Sequence, residues 1–185
     1  MQLKEILQKL ELCRDDFIRE NETIDASDFF HQPADKWSIA QNVDHLIISA
    51  NKTRLAYIFP KFIIRMYTGQ PNRPSRSYED LVTRYKQKLQ SGGKASGVFI
   101  PKPIPPVKGK EALLKKFTDS MNRLIYAVSK NWNDEHLDQY LAPHPLLGKL
   151  TLRELCYFTV YHTYHHLNII KERLAFANRV LPAGS

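Results

Sequence analysis

No run of apolar residues in this sequence approaches the roughly 20 needed to span a bilayer, so no membrane-spanning helix and no membrane partner are expected. The opening residues, Met1-Gln2-Leu3-Lys4-Glu5, have none of the basic segment, apolar core and small-residue cleavage site of a secretory leader, which points to the cytoplasm. Cysteine is scarce. Cys13 and Cys156 lie far apart and outside any C-x-x-C pair, so in a reducing compartment they read as small buried apolar side chains, with a disulfide or a thiolate ligand as the alternatives. Blocks of like charge are missing too, although 27 Lys and Arg against 19 Asp and Glu leave a formal charge of +8. The excess is scattered (Lys61 and Arg65, Arg73 and Arg76, Lys108 and Lys110, Lys115 and Lys116). That reads as a solvated basic surface rather than a nucleic-acid footprint, and nucleic acid is not the expected partner. Nor is there a G-x-S-x-G element, a phosphate-binding glycine loop or a dinucleotide fingerprint. What remains is an ordinary globular composition, 43% hydrophobic and 25% charged, in 185 residues, enough for one domain over residues 1–185 with its own core.

Helical periodicity organises most of the chain. Leu3, Ile6, Leu7, Leu10, Cys13 and Phe17 recur at spacings of three and four and predict a first helix over about residues 2–22. The segment 21–37 reads as a connection with a short helical turn. Ser38 followed three residues later by Gln41 makes a capping box, with Trp37 as a loose staple on Asn42 or Val43. A second helix then runs through Val43, Leu46, Ile47, Ala50 and Leu55 until Pro60 ends or kinks it. After a loop between Tyr67 and Arg76, a short capped helix carries Leu81, Tyr85 and Leu89. The glycines and prolines of Ser91–Lys110 exclude a helix there and predict a long loop, a candidate lid. A third long helix starts near Gly109 and carries Leu113, Phe117, Met121, Leu124 and Val128. Thr151 and Glu154 form a second box that opens a fourth. Four long helices and no convincing strand predict an all-α fold, a four-helix bundle with long connections.

Seven histidines occur. Residues four apart on a helix are offset by only about 40°, so His162 and His166 can hold one metal ion from one face. His162 with His165 is an alternative pair, but His166 continues the inward stripe of Leu155, Thr159, His162 and Ile169, whereas His165 turns toward its edge. A metal needs at least a third ligand. His45 is the candidate, because Gln41, Asn42, Ile48 and Ser49 beside it form a partly polar patch on a helix that faces the core, and such a patch needs partners inside the protein. The zinc-protease pattern fails, since Thr163 stands where a glutamate is required. The bundle di-iron pattern fails as well, since Asn42 and Thr159 occupy the glutamate positions three before His45 and His162.

Two segments together carry a family resemblance. One is Trp37-Ser38-Ile39-Ala40-Gln41-Asn42-Val43-Asp44-His45-Leu46. The other runs from His144-Pro145-Leu146-Leu147-Gly148 through Thr151-Leu152-Arg153-Glu154 to His162-Thr163-Tyr164-His165-His166. In order, separation and helical setting the chain resembles the DinB-like (DinB/YfiT) superfamily. The resemblance implies a four-helix bundle, a divalent metal (zinc or nickel) held by His45, His162 and His166, and a tendency to form homodimers. Many relatives carry a glutamine where this chain has Asn168, and the Ser91–Lys110 segment is variable among them, which leaves the substrate open. In some relatives the metal activates a low-molecular-weight thiol. The resemblance thus implies a metal-dependent thiol transferase or a hydrolase acting on a small molecule, the alternative being a non-enzymatic stress-response or interaction protein with a structural or vestigial metal. No residue stands out as a general base: Asp44 is turned about 100° from His45, and His165 is the one candidate.

Overall fold

A computed structural model describes residues 1–33 and 36–180, with the backbone alone for 176–180. The chain is mostly helical. In order come α1 (Leu3–Glu22), α2 (Ala26–Phe30), α3 (Ile39–Ile58), α4 (Lys61–Thr68), α5 (Tyr78–Gln90), α6 (Lys110–Asn131), α7 (Asp134–Gln139), β1 (Leu141–His144), β2 (Gly148–Thr151) and α8 (Leu152–Val180). Two 3-10 turns, Gly97–Phe99 and Pro106–Lys108, interrupt the glycine- and proline-rich segment.

The four long helices follow their apolar stripes. α1 packs on α6 and α8, and α3 packs on the same two, which closes a ring of contacts. Leu10 and Phe17 of α1, Phe117, Met121 and Leu124 of α6, Val43 and Ile47 of α3, and Leu155 and Leu167 of α8 are buried where these faces meet. Phe17 and Phe117 lie with ring centroids 4.7 Å apart. Both cysteines are buried free thiols. Burial pushes each up to about 12, so neither offers a thiolate near neutral pH.

The two capping boxes form as their sequences predict. Ser38 Oγ accepts from Gln41 N at 3.1 Å while Gln41 Oε1 accepts from Ser38 N at 2.9 Å. At the start of α8, Thr151 Oγ1 accepts from Glu154 N and Glu154 Oε2 accepts from Thr151 N. Pro60 ends α3 and caps α4 rather than kinking one continuous helix.

The expectation of no strand is corrected. Leu141–His144 and Gly148–Thr151 pair antiparallel in a two-stranded hairpin. The hairpin is held by its turn more than by any alternating pattern. His144 Nδ1 accepts from the backbone N–H groups of Leu146 and Leu147 at 3.2 and 3.1 Å, and Gly148 adopts φ +76°, where a side chain would be strained. Four-residue strands that include Pro143 are too short to show a period of two. The hairpin delivers the chain directly into α8, and Leu152 N donates to Tyr140 O across its open end.

Candidate metal centre

α3 and α8 lie against each other and bring His45, His162 and His166 together. The three rings are 5%, 5% and 6% exposed, so their nitrogens must find partners inside the protein. His162 Nε2 lies 3.1 Å from His45 Nε2 and 3.1 Å from His166 Nε2.

The opposite ring nitrogens set the protonation state. His45 Nδ1 lies 2.7 Å from the carbonyl oxygen of Phe99. A carbonyl only accepts, so Nδ1 carries the hydrogen and the Nε2 of this ring keeps its lone pair. His166 Nδ1 lies 2.8 Å from Asn42 Oδ1. The orientation of that amide is fixed by Asn42 Nδ2, which donates to Ser38 O at 2.8 Å. His166 Nδ1 is therefore also a donor, and its Nε2 is also a lone pair. His162 Nε2 can supply one hydrogen to one of its two neighbours, and the lone pair of the other neighbour is then left with no hydrogen to accept. A cation at the common point removes the conflict. An extra proton is a poor choice for that cation: burial drives the pKa values of His162 and His166 well below 6.5, and the adjacent imidazoles push the same way. Burial lowers His45 too, against the opposing pull of the Phe99 carbonyl. Ligand nitrogens at 2.0–2.1 Å from one ion stand about 3.0–3.4 Å apart. The observed 3.1 Å separations match that spacing, and the donor set of three neutral imidazoles fits a divalent transition metal.

Aromatic rings wall the cluster. Trp37 stacks on His166 with centroids 6.4 Å apart and planes 8° apart, and it tilts against His45 at 5.1 Å. It covers the site, a role its reading as a helix staple did not contain. Phe158 stacks on His162 at 4.7 Å, and His144 meets Phe158 in a T-shaped contact at 4.2 Å. His165 is half-buried against His166, Tyr161 and Tyr85, and it is not one of the converging set. Asn168 is exposed, so the departure from the glutamine of many relatives faces away from the rings. A cavity of about 10 Å³ adjoins His162, bordered by Leu46, Ser49, Thr53, Met121 and Thr159.

Sequence reasoning named Asn42 as a staple partner, as part of a polar patch and as a departure from the di-iron pattern, but not as a partner of an imidazole. Its position one turn before His45, facing α8, is the signal that it holds a ring of the opposite helix. Phe99 gave no signal, because it contributes a backbone carbonyl that any residue could supply.

No helix among the described residues is long and apolar enough to cross a membrane. No curated protein sequence matches the chain. The sequence profile of the DinB superfamily, however, matches residues 9–170. That span runs from the first half of α1 to well past His166 and takes in both helices that supply the imidazoles, and on that match the chain belongs to the DinB superfamily.

Proposed function

We propose that this protein holds one divalent transition metal, zinc or nickel, through Nε2 of His45, His162 and His166, and that it is a metal-dependent transferase, with thiol transfer foremost, or a hydrolase acting on a small molecule. The observation that carries the reading is the tautomer argument: Phe99 O and Asn42 Oδ1 turn two Nε2 lone pairs onto His162 Nε2. Three protein ligands leave a coordination position for another group, as catalytic sites do. When bound, the ion supplies Lewis acidity that makes a thiol or water nucleophilic near neutral pH. The chain's own residues do the rest. Asn42 and Phe99 O orient the rings, Trp37 and Phe158 exclude water, and the basic surface attracts an anionic thiol. In this reading α1, α3, α6 and α8 form the four-helix bundle of a single cytoplasmic domain that pairs as a homodimer.

The non-enzymatic reading, with a structural metal, draws support from the cavity beside His162. At about 10 Å³ it is at the lower limit for a single water. Elemental analysis of protein purified without a nickel column tests the metal. About one equivalent of zinc or nickel is expected in the wild type and almost none in His45→Ala, whereas wild-type protein that neither contains nor takes up metal sinks the proposal. Cobalt substitution separates the two readings. A low-molecular-weight thiol should shift the visible absorption of the cobalt form, and an unmoved spectrum favours the structural role.

A further inference from the structure

The segment 94–108 is tied to the protein in an unusual way. Its backbone hydrogen bonds are local: Phe99 N donates to Ser96 O, Ile100 N to Gly97 O, and Lys108 N to Pro105 O. Among the described residues, one hydrogen bond joins it to anything outside its immediate neighbourhood, and that is the bond from His45 Nδ1 to Phe99 O. Its apolar anchorage is slight. Pro101 is buried, Phe99 is half-buried and Ile104 packs on the edge of the core, while Val98 and Ile100 are 64% and 52% exposed. A segment with so few ties opens at little cost.

We infer that residues 94–108 form a strap latched by the His45 ring, so that closing the strap and ligating the metal are one linked equilibrium. The inference rests on the metal-binding reading of the three histidines. A ligand on His45 Nε2 fixes the plane of the ring, and a fixed ring aims Nδ1–H at one point, where Phe99 O waits. A closed strap in turn holds the ring ready for the ion. Linkage makes the effect reciprocal: whatever factor metal adds to strap closure, strap closure adds to metal affinity.

Gly97 gives a clean handle. It opens the 3-10 turn that aims the Phe99 carbonyl, at φ +56°, with no atom within 4 Å of an added Cβ. Valine there strains the turn, and its Cβ meets open space. Gly69 is its control, at φ +76° with equally open space at the end of α4, outside the strap. Zinc affinity by chelator competition should fall about tenfold or more in Gly97→Val, the usual scale for loss of a group that orients a ligand, and should stay put in Gly69→Val. Hydrogen exchange of the full chain should show the amides of 94–108 slowed by zinc in the wild type, those of 69–76 unaffected, and the strap fast with or without zinc in His45→Ala. Zinc uptake with unmoved strap amides, and Gly97→Val equal to Gly69→Val, overturns the strap alone. Failure of the wild type to take up zinc at all overturns the metal reading and the linkage with it.

Discussion

α8 carries two buried polar clusters that answer burial in opposite ways. At its start, Glu154 is fully buried, and its two oxygens accept five hydrogen bonds, from Arg73 twice, from the Arg76 guanidinium and backbone, and from Thr151 N. Burial alone would raise this carboxyl, but the bonds outweigh it and hold it below the usual carboxylate range. Its neighbour Arg153 donates to Asp138 and Asp134 and to the carbonyls of Met1 and Asp134. Every charge there has its partner in the chain. Two turns and more further along, the imidazoles have only half of theirs. The Nδ1 side of His45 and His166 is satisfied, and the Nε2 side of all three faces like partners. A buried cluster that completes itself is scaffold, and one that the chain leaves incomplete could hold an added cation.

The sharpest way to break that distinction is to remove the central ring. A ligand at a thousand times its dissociation constant adds about 4 kcal/mol to stability. His162→Ala should lose nearly all of that, read as the shift of the urea midpoint on adding zinc, because two ligands on different helices remain. An undiminished zinc shift would place the ion elsewhere. Glu154→Ala should do the reverse. It strands Arg73 and Arg76, whose side chains are 30% and 24% exposed, and should cost about 3 kcal/mol of zinc-independent stability, seen as a lower midpoint at constant slope. Eight residues of helix, about 12 Å, separate the two positions, so zinc affinity of the folded variant should be unchanged. If it falls as well, the two ends of α8 are coupled and the contrast fails.

The same contrast explains what the sequence discloses. Long stripes such as Leu3–Phe17 and Leu113–Val128 give α1 and α6 to within a residue or two, since a dozen or more residues average out local exceptions. The pair His162 and His166 is legible because helix geometry alone puts them on one face. α4, α7 and the hairpin are not, since four to eight residues hold too few periods and tertiary partners decide their form. The Thr151–Glu154 box is visible, but Arg73 and Arg76, about eighty residues earlier, carry no mark of where their guanidinium groups end. A site group that acts through the backbone, Phe99 O, leaves the least trace.

His144 lies between the two classes and tests the boundary. It is buried beside the site, yet its Nδ1 is satisfied by two backbone N–H groups, so it belongs with the scaffold. Burial depresses it from 6.5 to about 4. The unfolded chain therefore takes up this proton first as pH falls. The stabilisation is full above about pH 6.5 and is lost progressively toward pH 4, with about 2 kcal/mol gone by pH 5. His144→Asn keeps an acceptor near Nδ1 and cannot titrate. The fall in urea-derived stability from pH 7 to pH 5 should be smaller in it by about 2 kcal/mol. Equal falls in variant and wild type would mean that the hairpin histidine is not held neutral by the fold.

The smallest expected effect is at Asn42, where scaffold and site meet in one side chain. Its amide spends its donor on Ser38 O, inside the cap of α3, and its acceptor on His166 Nδ1. Asn42→Ala removes both bonds, and the two losses should appear in different measurements. The helix cap keeps the Ser38–Gln41 pair, so metal-free stability should drop by only about 1 kcal/mol. His166 loses the acceptor that fixes its tautomer, and zinc affinity should fall about tenfold, at the low end for such groups because Trp37 still stacks on the ring. Asn42→Asp restores an acceptor but not the donor. It should recover affinity without recovering stability, since a carboxylate beside the Ser38 carbonyl is repelled while His166 Nδ1–H is still served. Should the aspartate variant restore stability and leave affinity low, Asn42 would be a capping residue that merely passes near the imidazole, and His166 would owe its orientation to packing against Trp37.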